Sequence, residues 1–402
     1  MTVSIFIYDR GLQVHHYNLV KGFADRGDTV FIFTYNVTED FFPSSNFKFK
    51  NVYLYNLYNP QSFNNRIQRK IIKLFKIFKN VFHLKIYNDY TNFISIKAIV
   101  KTIKIVKGID EITLVIGCEK KGLIWAGKVF EGSKTKLIYY SLELYEDGHY
   151  SFLHDRSFPI VRIQEIFYHQ KCAATIIQDQ DRCNFLYKIN KIESQPTFYL
   201  PVSVSENISY LELNYLQKKI NVFNKKIILY FGKIDDERKV SDIGICFSKI
   251  ITNRFVLVLN GFGQVSYIAK LREISDKIFH LNPSPYKYID SIIHDAYIGL
   301  VLYDYKSKNE ELTVYASEKL AYYLKHKKPI IAFHNIQYEK FFSNYKCGVA
   351  IKNVNELKGA IQTIEKNYNF YQVEAHRAFK EIYCFENRFN SVYEEIKLKF
   401  LK

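Results

Sequence analysis

The stretch DAYIGLVLYDYKSKNEELTVYASEKLAYYLKHKKPIIAF, residues 295–333, contains the alternation that decides the fold. Its apolar run 297–305 predicts a buried strand, and Leu320 and Leu324 lie on the apolar face of a predicted helix. Pro329 follows the helix, and a second apolar run begins directly after it. A strand, a helix and another strand in this order indicate a parallel α/β sheet.

The same alternation extends over most of the chain in two series, and the second series begins near residue 225. The predicted strands are 4–8, 28–35, 52–58, 113–118, 136–143, 174–179, 197–203, 225–232, 255–261, 277–282, 297–305, 328–335 and 348–353. We therefore expect two Rossmann-like, doubly wound parallel-sheet domains that face one another across a cleft. The expected divisions are an N-terminal domain at 1–203, a linker at 204–224, a C-terminal domain at 225–367, and helices at 368–402 that pack on either domain.

The composition is that of a globular protein, with 48% hydrophobic and 24% charged residues among 402. Six cysteines are scattered without any CxxC spacing, which argues against a disulfide framework or a zinc site and favours a reducing, cytoplasmic location. No window of 18 apolar residues predicts a transmembrane helix, and the N-terminus lacks the pattern of a signal peptide.

The net charge of +17 is spread through the chain, but one segment, residues 64–85, concentrates basic side chains around an apolar helical face. Such a helix can lie on an anionic membrane, which would make the protein peripheral at the inner face of the membrane. The alternative is a surface helix that packs its apolar stripe on its own domain. No nucleic-acid-binding motif accompanies the charge, so we expect no nucleic-acid partner.

The segment Ser317-Glu318-Lys319 begins the predicted helix at the carboxyl edge of the second sheet. Free N–H groups and the helix dipole attract an anion at such a position. Ser317 fits an N-cap residue, and Lys319 is a cation in the first turn, where the dipole disfavours it. A bound anion would explain that placement, whereas a solvated lysine on a capped helix is the alternative.

Two further loops follow strands of the same half and would lie at the same edge. Gly232 precedes Arg238 and Lys239 in the first loop, and Asn260 and Gly261 begin the second. Glycine permits close approach to a ligand, and basic side chains reach phosphates. Alternatively, the basic pair only offsets the neighbouring acidic residues on a surface loop.

At these residues the sequence resembles the GT-B glycosyltransferases, particularly the bacterial family-4 enzymes. The matching pieces are YFGKIDDERK (230–239), IGLVLYDY (298–305) and SEKLAYYLKHKKPII (317–331). Relatives read S-G-K-L-x-E-Y-L-x-x-G-x-P-V-I at the last piece. The resemblance implies two Rossmann-like domains with the nucleotide-sugar donor held by the C-terminal one.

The resemblance also implies roles for individual residues. The implied donor diphosphate ligands are Arg238, Lys239, Ser317, Glu318 and Lys319, and the implied nucleotide or sugar contacts are Gly232, Asn260, Gly261, Tyr303 and Tyr322. Glu318 stands where relatives have Gly, Tyr322 where they have Glu, and Lys327 where they have Gly. Tyr322 therefore leaves open which group binds the ribose or sugar.

Three loops of the first half should point to the same ligand site. Asp9-Arg10-Gly11, His15 and His16 are expected acceptor contacts, although a capping or packing role is the alternative for both histidines. Glu119 and Glu143 are candidate catalytic carboxylates, which could orient an acceptor hydroxyl or act as a base. In relatives a D-x-H-E motif aligns with Glu143, while Leu142 replaces its His.

The expected function is transfer of a sugar from a nucleotide-diphosphate sugar to an acceptor hydroxyl, with retention and without a metal or other cofactor. Glycans, lipid-linked glycans and proteins are the expected acceptors, in bacterial surface polysaccharide or glycoconjugate synthesis. The alternatives are a non-hydrolysing sugar-nucleotide epimerase on the same fold, a basic nucleic-acid-binding protein, and a non-catalytic partner subunit.

Overall fold

The computed structural model describes residues 1–8, 12–35, 49–57, 96–146, 158–208, 210–250, 253–303 and 305–401. They form two compact units. The first unit comprises Met1–Tyr199 with Glu395–Lys402, and the second unit comprises Leu200–Glu394. Residues 204–224, which the sequence presents as a linker, thus lie within the second unit, and the end of the C-terminal helical tail lies within the first.

The first unit contains one seven-stranded sheet in the order β3-β2-β1-β4-β5-β6-β7, and every pairing is parallel. Its strands are β1 (Thr2–Ile7), β2 (Thr29–Thr34), β3 (Val52–Asn56), β4 (Leu114–Cys118), β5 (Lys136–Tyr140), β6 (Ala174–Ile177) and β7 (Thr197–Tyr199). Its helices are α1 (Val14–Ala24), α2 (Ile96–Lys107), α3 (Glu119–Val129), α4 (Phe158–His169) and α5 (Gln180–Asn190). The strand order reverses between β1 and β4, so the loops after these strands diverge there.

The second unit repeats this plan with six parallel strands in the order β10-β9-β8-β11-β12-β13. Its strands are β8 (Lys226–Phe231), β9 (Phe255–Asn260), β10 (Ile278–Leu281), β11 (Ala296–Val301), β12 (Ile330–Phe333) and β13 (Gly348–Ile351). Its helices are α6 (Tyr215–Ile220), α7 (Val240–Ser248), α8 (Val265–Ile274), α9 (Ile289–Asp295), α10 (Lys308–Glu311), α11 (Glu318–Lys325), α12 (Ile336–Tyr345), α13 (Leu357–Lys366), α14 (Tyr368–Ala378) and α15 (Phe385–Phe400), of which the last enters the first unit. The reversal of strand order lies between β8 and β11.

The strands are largely apolar because helices cover both faces of a doubly wound sheet. In the first unit Phe6, Phe33 and Trp125 are fully buried, and Phe6 stacks on Phe33 with ring centroids 4.8 Å apart. In the second unit Tyr230 and Tyr323 are fully buried. The parallel α/β architecture predicted from the sequence is confirmed.

Each of the thirteen predicted strands overlaps an observed one, with differences of a few residues at the ends. The predicted helix 64–85 lies outside the described residues, as does the loop Asp9-Arg10-Gly11. Among the helices that the structure describes, none combines the length and the apolar character that crossing a membrane requires.

Candidate functional site

Two glycines bring the loops after β8 and β9 together at the carboxyl edge of the second sheet. A Cβ on Gly261 would lie 1.7 Å from the carbonyl oxygen of Gly232, so no other residue fits without displacing the backbone. Gly232 has φ +131°, and its own Cβ would lie 3.2 Å from Lys319 Nζ. The glycines therefore create the space into which the Lys319 ammonium extends.

Ser317 caps α11, as the sequence predicts. Its hydroxyl oxygen accepts a hydrogen bond from the Leu320 amide at 3.3 Å and lies 3.1 Å from the Tyr303 hydroxyl. The side chain of Ser317 is buried. The helix therefore begins at the carboxyl edge of β11 with its first amides unpaired within the helix, which is the arrangement that favours a bound anion.

Lys319 is half-buried among aromatic rings rather than in open solvent. Its Nζ lies 5.2 Å from the ring centroid of Tyr230 and 4.8 Å from that of Tyr303. Burial and, to a smaller extent, the positive charge of Arg238 lower the pKa of Lys319 to about 7, although Asp235 opposes the change. An anion placed beside this ammonium would stabilise its charged form.

Arg238 lies against the same tyrosine. Its guanidinium carbon is 4.9 Å from the Tyr303 ring centroid, and Nη1 lies 2.9 Å from Glu310 Oε1. The backbone around it is fixed because the Asp235 carboxylate accepts a hydrogen bond from the Arg238 amide at 3.1 Å. Arg238, Ser317, Lys319 and Tyr303 form one group, which we name the cationic cluster.

Tyr322 is almost fully buried, and its hydroxyl hydrogen-bonds the hydroxyl of Tyr286. A tyrosine pair thus stands where the family resemblance implies a carboxylate. Sequence reasoning missed Tyr286, whose only signal is its position in the loop that follows β10. Glu318, one helical turn before Tyr322, is half-buried, and burial raises the pKa of Glu318 to about 7.

Asn260 and Lys239 are predicted donor contacts that lie outside the cationic cluster. Asn260 is fully buried, and its side-chain amide donates to the Asn282 carbonyl at 3.1 Å, so it ties the loops after β9 and β10. Lys239 has φ +56° and lines a pocket with Tyr303 and with residues that follow β12 and β13. Of the predicted basic pair, Arg238 alone contributes to the cationic cluster.

In the first unit, Glu119 and Glu143 come together at the carboxyl edge of β4 and β5. The Glu119 carboxylate accepts hydrogen bonds from the amides of Leu142 (2.6 Å) and Glu143 (2.9 Å) and from the Tyr145 hydroxyl (3.2 Å). Burial, followed by the charge of Glu143, raises the pKa of Glu119 to about 8. Glu119 therefore holds the loop, while the side chain of Glu143 is exposed.

His15 and His16 lie at the start of α1. His16 is buried, and its Nδ1 accepts a hydrogen bond from the Gln13 amide at 3.2 Å, which caps the helix. Burial lowers the pKa of His15 to about 3, and it also lowers the pKa of His16, with a contribution from His15. Both rings are therefore neutral near pH 7, which suits packing and capping.

Asp179, in the sequence Asp-Gln-Asp, caps α5 by accepting a hydrogen bond from the Arg182 amide at 3.0 Å. Within the described ranges, no three or more His, Cys, Asp and Glu side chains come together as metal ligands would.

Residues 280–382 match the family model of the glucosyltransferase 3-like C-terminal domain. The match lies within the second unit and includes Ser317, Lys319 and the Tyr286–Tyr322 pair. No curated protein matches the chain in sequence.

Solved structures match over the whole chain. Sucrose-phosphate synthase from Thermosynechococcus elongatus is 13% identical, with a TM-score of 0.71 over 100% of this chain and 99% of its own. HepE from Anabaena, in complex with UDP-glucose, is 10% identical, with a TM-score of 0.68 over 99% and 100%. This chain has the GT-B fold and carries a glycosyltransferase domain. The resemblance stated from the sequence is confirmed.

The GT-B fold also occurs in a Listeria monocytogenes protein assigned as a UDP-N-acetylglucosamine 2-epimerase, which is 11% identical with a TM-score of 0.60 over 100% and 96%. At such identities, likeness to a solved structure establishes the fold and not the reaction. The reaction of this GT-B chain therefore has to be inferred from the side chains of the cationic cluster.

Proposed function

We propose that this protein transfers a sugar from a nucleoside-diphosphate sugar to an acceptor hydroxyl, and that the cationic cluster binds the diphosphate. The observation that carries the proposal is the position of the Lys319 side chain. Its ammonium lies in the first turn of α11, half-buried beside Arg238 and two aromatic rings. Placing a cation there costs free energy in the unliganded protein, and a bound polyanion would offset that cost.

The same groups suit the chemistry of the transfer step. When the bond between the anomeric carbon and the diphosphate breaks, negative charge grows on the leaving oxygen. Preorganised cations and helix amides stabilise such charge without rearranging. Lys319 and Arg238 would supply the cations, and the first amides of α11 would supply the donors. This is a metal-independent route, which we propose together with retention of configuration.

The donor that we propose is a UDP-sugar, because the similar fold of HepE binds UDP-glucose. Tyr286 and Tyr322 would then face the nucleoside through hydroxyl groups that both donate and accept hydrogen bonds. The exposed carboxylate of Glu143, whose backbone amide donates a hydrogen bond to Glu119, is our candidate for orienting the acceptor hydroxyl. A glycan, lipid-linked or protein acceptor in bacterial surface glycoconjugate synthesis fits this assignment.

The second candidate is a sugar-nucleotide epimerase, which the likeness to the Listeria protein keeps open. The two reactions differ in their products when UDP-N-acetylglucosamine is the only substrate. An epimerase of the non-hydrolysing type would alter the sugar without needing an acceptor, whereas a transferase would form a glycoside only when an acceptor is added.

The decisive measurement is calorimetric titration of the protein with UDP, GDP, dTDP and CMP. We expect UDP to bind, and we expect Lys319→Met to weaken binding about 30-fold, since one charge-assisted contact to phosphate contributes about 2 kcal/mol. Lys340→Met on the exposed face of α12 is the matched control and should bind UDP as the wild type does. Failure of all four nucleotides to bind, or equal affinities of both variants, would refute the diphosphate site.

A further inference from the structure

A small pocket of about 230 Å³ lies beside the cationic cluster and shares Tyr303 with it, whereas its other lining residues are not part of the cluster. The loops after β8, β11, β12 and β13 all contribute to it, so it opens at the carboxyl edge of the sheet. Ligand pockets for drug-sized molecules are larger, about 300–1,000 Å³. The pocket therefore fits a single sugar or a comparably small group.

One wall of the pocket is aromatic and comprises Tyr303, Tyr305 and Phe333. Tyr305 has φ +52°, a conformation that is unfavourable for a bulky residue. Its hydroxyl donates a hydrogen bond to the Phe333 carbonyl at 2.5 Å, which fixes the ring across the pocket. Strained backbone of this kind persists where the surrounding structure holds it, and it is concentrated at ligand sites.

The rim of the pocket is polar, and the residues that line it include two lysines and one carboxylate. Lys239, Lys352 and His334 lie on it, with Asp242 as the one carboxylate among the lining residues. Lys239 also has a left-handed backbone, with φ +56°. Further acidic groups border the rim, since Glu339 Oε2 lies 3.5 Å from His334 Nε2 and Glu356 accepts a hydrogen bond from the Lys352 amide. Aromatic faces suit the apolar side of a sugar ring, and lysines suit an anionic substituent.

Tyr303 connects the pocket with the cationic cluster. The Tyr303 ring borders the pocket, while Lys319 and Arg238 lie 4.8 and 4.9 Å from its centroid. A ligand in the pocket would therefore be next to the diphosphate that we place on the cluster.

We propose that this pocket binds a sugar through an anionic substituent, a carboxylate or a phosphate. The choice of a sugar rests on the proposed function, whereas the choice of an anion rests on the pocket. The anionic sugar is either the sugar of the donor or part of the acceptor, and the same lysines would recognise it in both cases.

The first test is calorimetric or NMR titration with glucose, glucuronate and glucose 6-phosphate, in the presence and absence of UDP. We expect both anionic sugars to bind about tenfold tighter than glucose, since one charge-assisted hydrogen bond contributes that much. Lys352→Gln should remove this preference and leave UDP affinity unchanged. Lys358→Gln, on the exposed face of α13, should retain it.

The source of the anion is distinguished by comparing UDP-glucuronate with UDP-glucose. Tighter binding of UDP-glucuronate that Lys352→Gln abolishes would place the anion on the donor. Equal binding of both, with glucose 6-phosphate still bound in the presence of UDP, would place it on the acceptor. Equal affinity for glucose and its anionic forms, or a loss of UDP binding in Lys352→Gln, would overturn the proposal. Absence of UDP binding in the wild type would instead refute the proposed function.

Discussion

The two units differ in how the loops at their carboxyl edges surround a titratable side chain, Glu119 in the first unit and Lys319 in the second. In the first unit the Glu119 carboxylate receives three hydrogen bonds from the loop after β5, so its role is to hold that loop. In the second unit Lys319 has ring faces and Arg238 as its neighbours, and the described residues give it no hydrogen bond or ion pair. A group that the fold satisfies is structural, and a group that the fold leaves unsatisfied indicates a ligand.

The largest loss of stability should come from a substitution in the backbone that makes room for Lys319. Gly261→Ala would place a Cβ 1.7 Å from the Gly232 carbonyl oxygen and should reduce the free energy of unfolding by about 3 kcal/mol. Gly359→Ala in α13 meets no atom within 4 Å and should increase stability by about 1 kcal/mol. Urea denaturation measures both. A Gly261→Ala protein as stable as the wild type would show that the two loops do not need this close approach.

Lys319 and Glu119 should change the pH dependence of the free energy of unfolding in opposite directions. The pKa of Lys319 falls to about 7 on folding, so the unfolded chain binds more protons between pH 7 and its ordinary value of 10.5. Relative to Lys319→Met, wild-type stability should therefore rise with pH across that window. The pKa of Glu119 rises to about 8, so relative to Glu119→Gln, wild-type stability should fall as pH rises from 4.5 to 8.

Each group can change the slope by at most about 1.4 kcal/mol per pH unit. Thermal or urea unfolding of the wild type and the two variants from pH 5 to pH 10 measures these slopes. Slopes of the same sign, or variants that are parallel to the wild type, would show that burial does not shift the pKa values of Glu119 and Lys319 in opposite directions.

The smallest loss of stability should come from removing the N-cap side chain of one helix in each unit. Asp179→Ala removes the cap of α5 and Ser317→Ala that of α11, and each should cost about 1 kcal/mol of stability. Ser317→Ala should also weaken UDP binding about fivefold, because its hydroxyl would then be missing from the phosphate site. Asp179→Ala should bind UDP as the wild type does. Equal UDP affinities of the two variants would mean that Ser317 is only a cap.

Individual residues show what could be predicted. Ser317 was identified from its position before an amphipathic run, and it caps α11 as expected. The sequence predicts Lys319 as an anion-binding residue because its charge is unfavourable against the helix dipole. The structure adds that aromatic rings surround its ammonium. The burial of Tyr322 against Tyr286 could not be predicted, because the two residues are 36 positions apart and only packing brings them together.

The sequence by itself determined the two series of strands and helices, since apolar periodicity reflects which faces are buried. It also determined where α11 begins, because the capping of this helix by Ser317 is a local interaction. Only the tertiary structure decided that Arg238 joins Lys319 while Lys239 lines a separate pocket. It also decided that Glu119 holds a loop and leaves Glu143 exposed. These outcomes depend on distances between residues far apart in the chain, which local patterns do not contain.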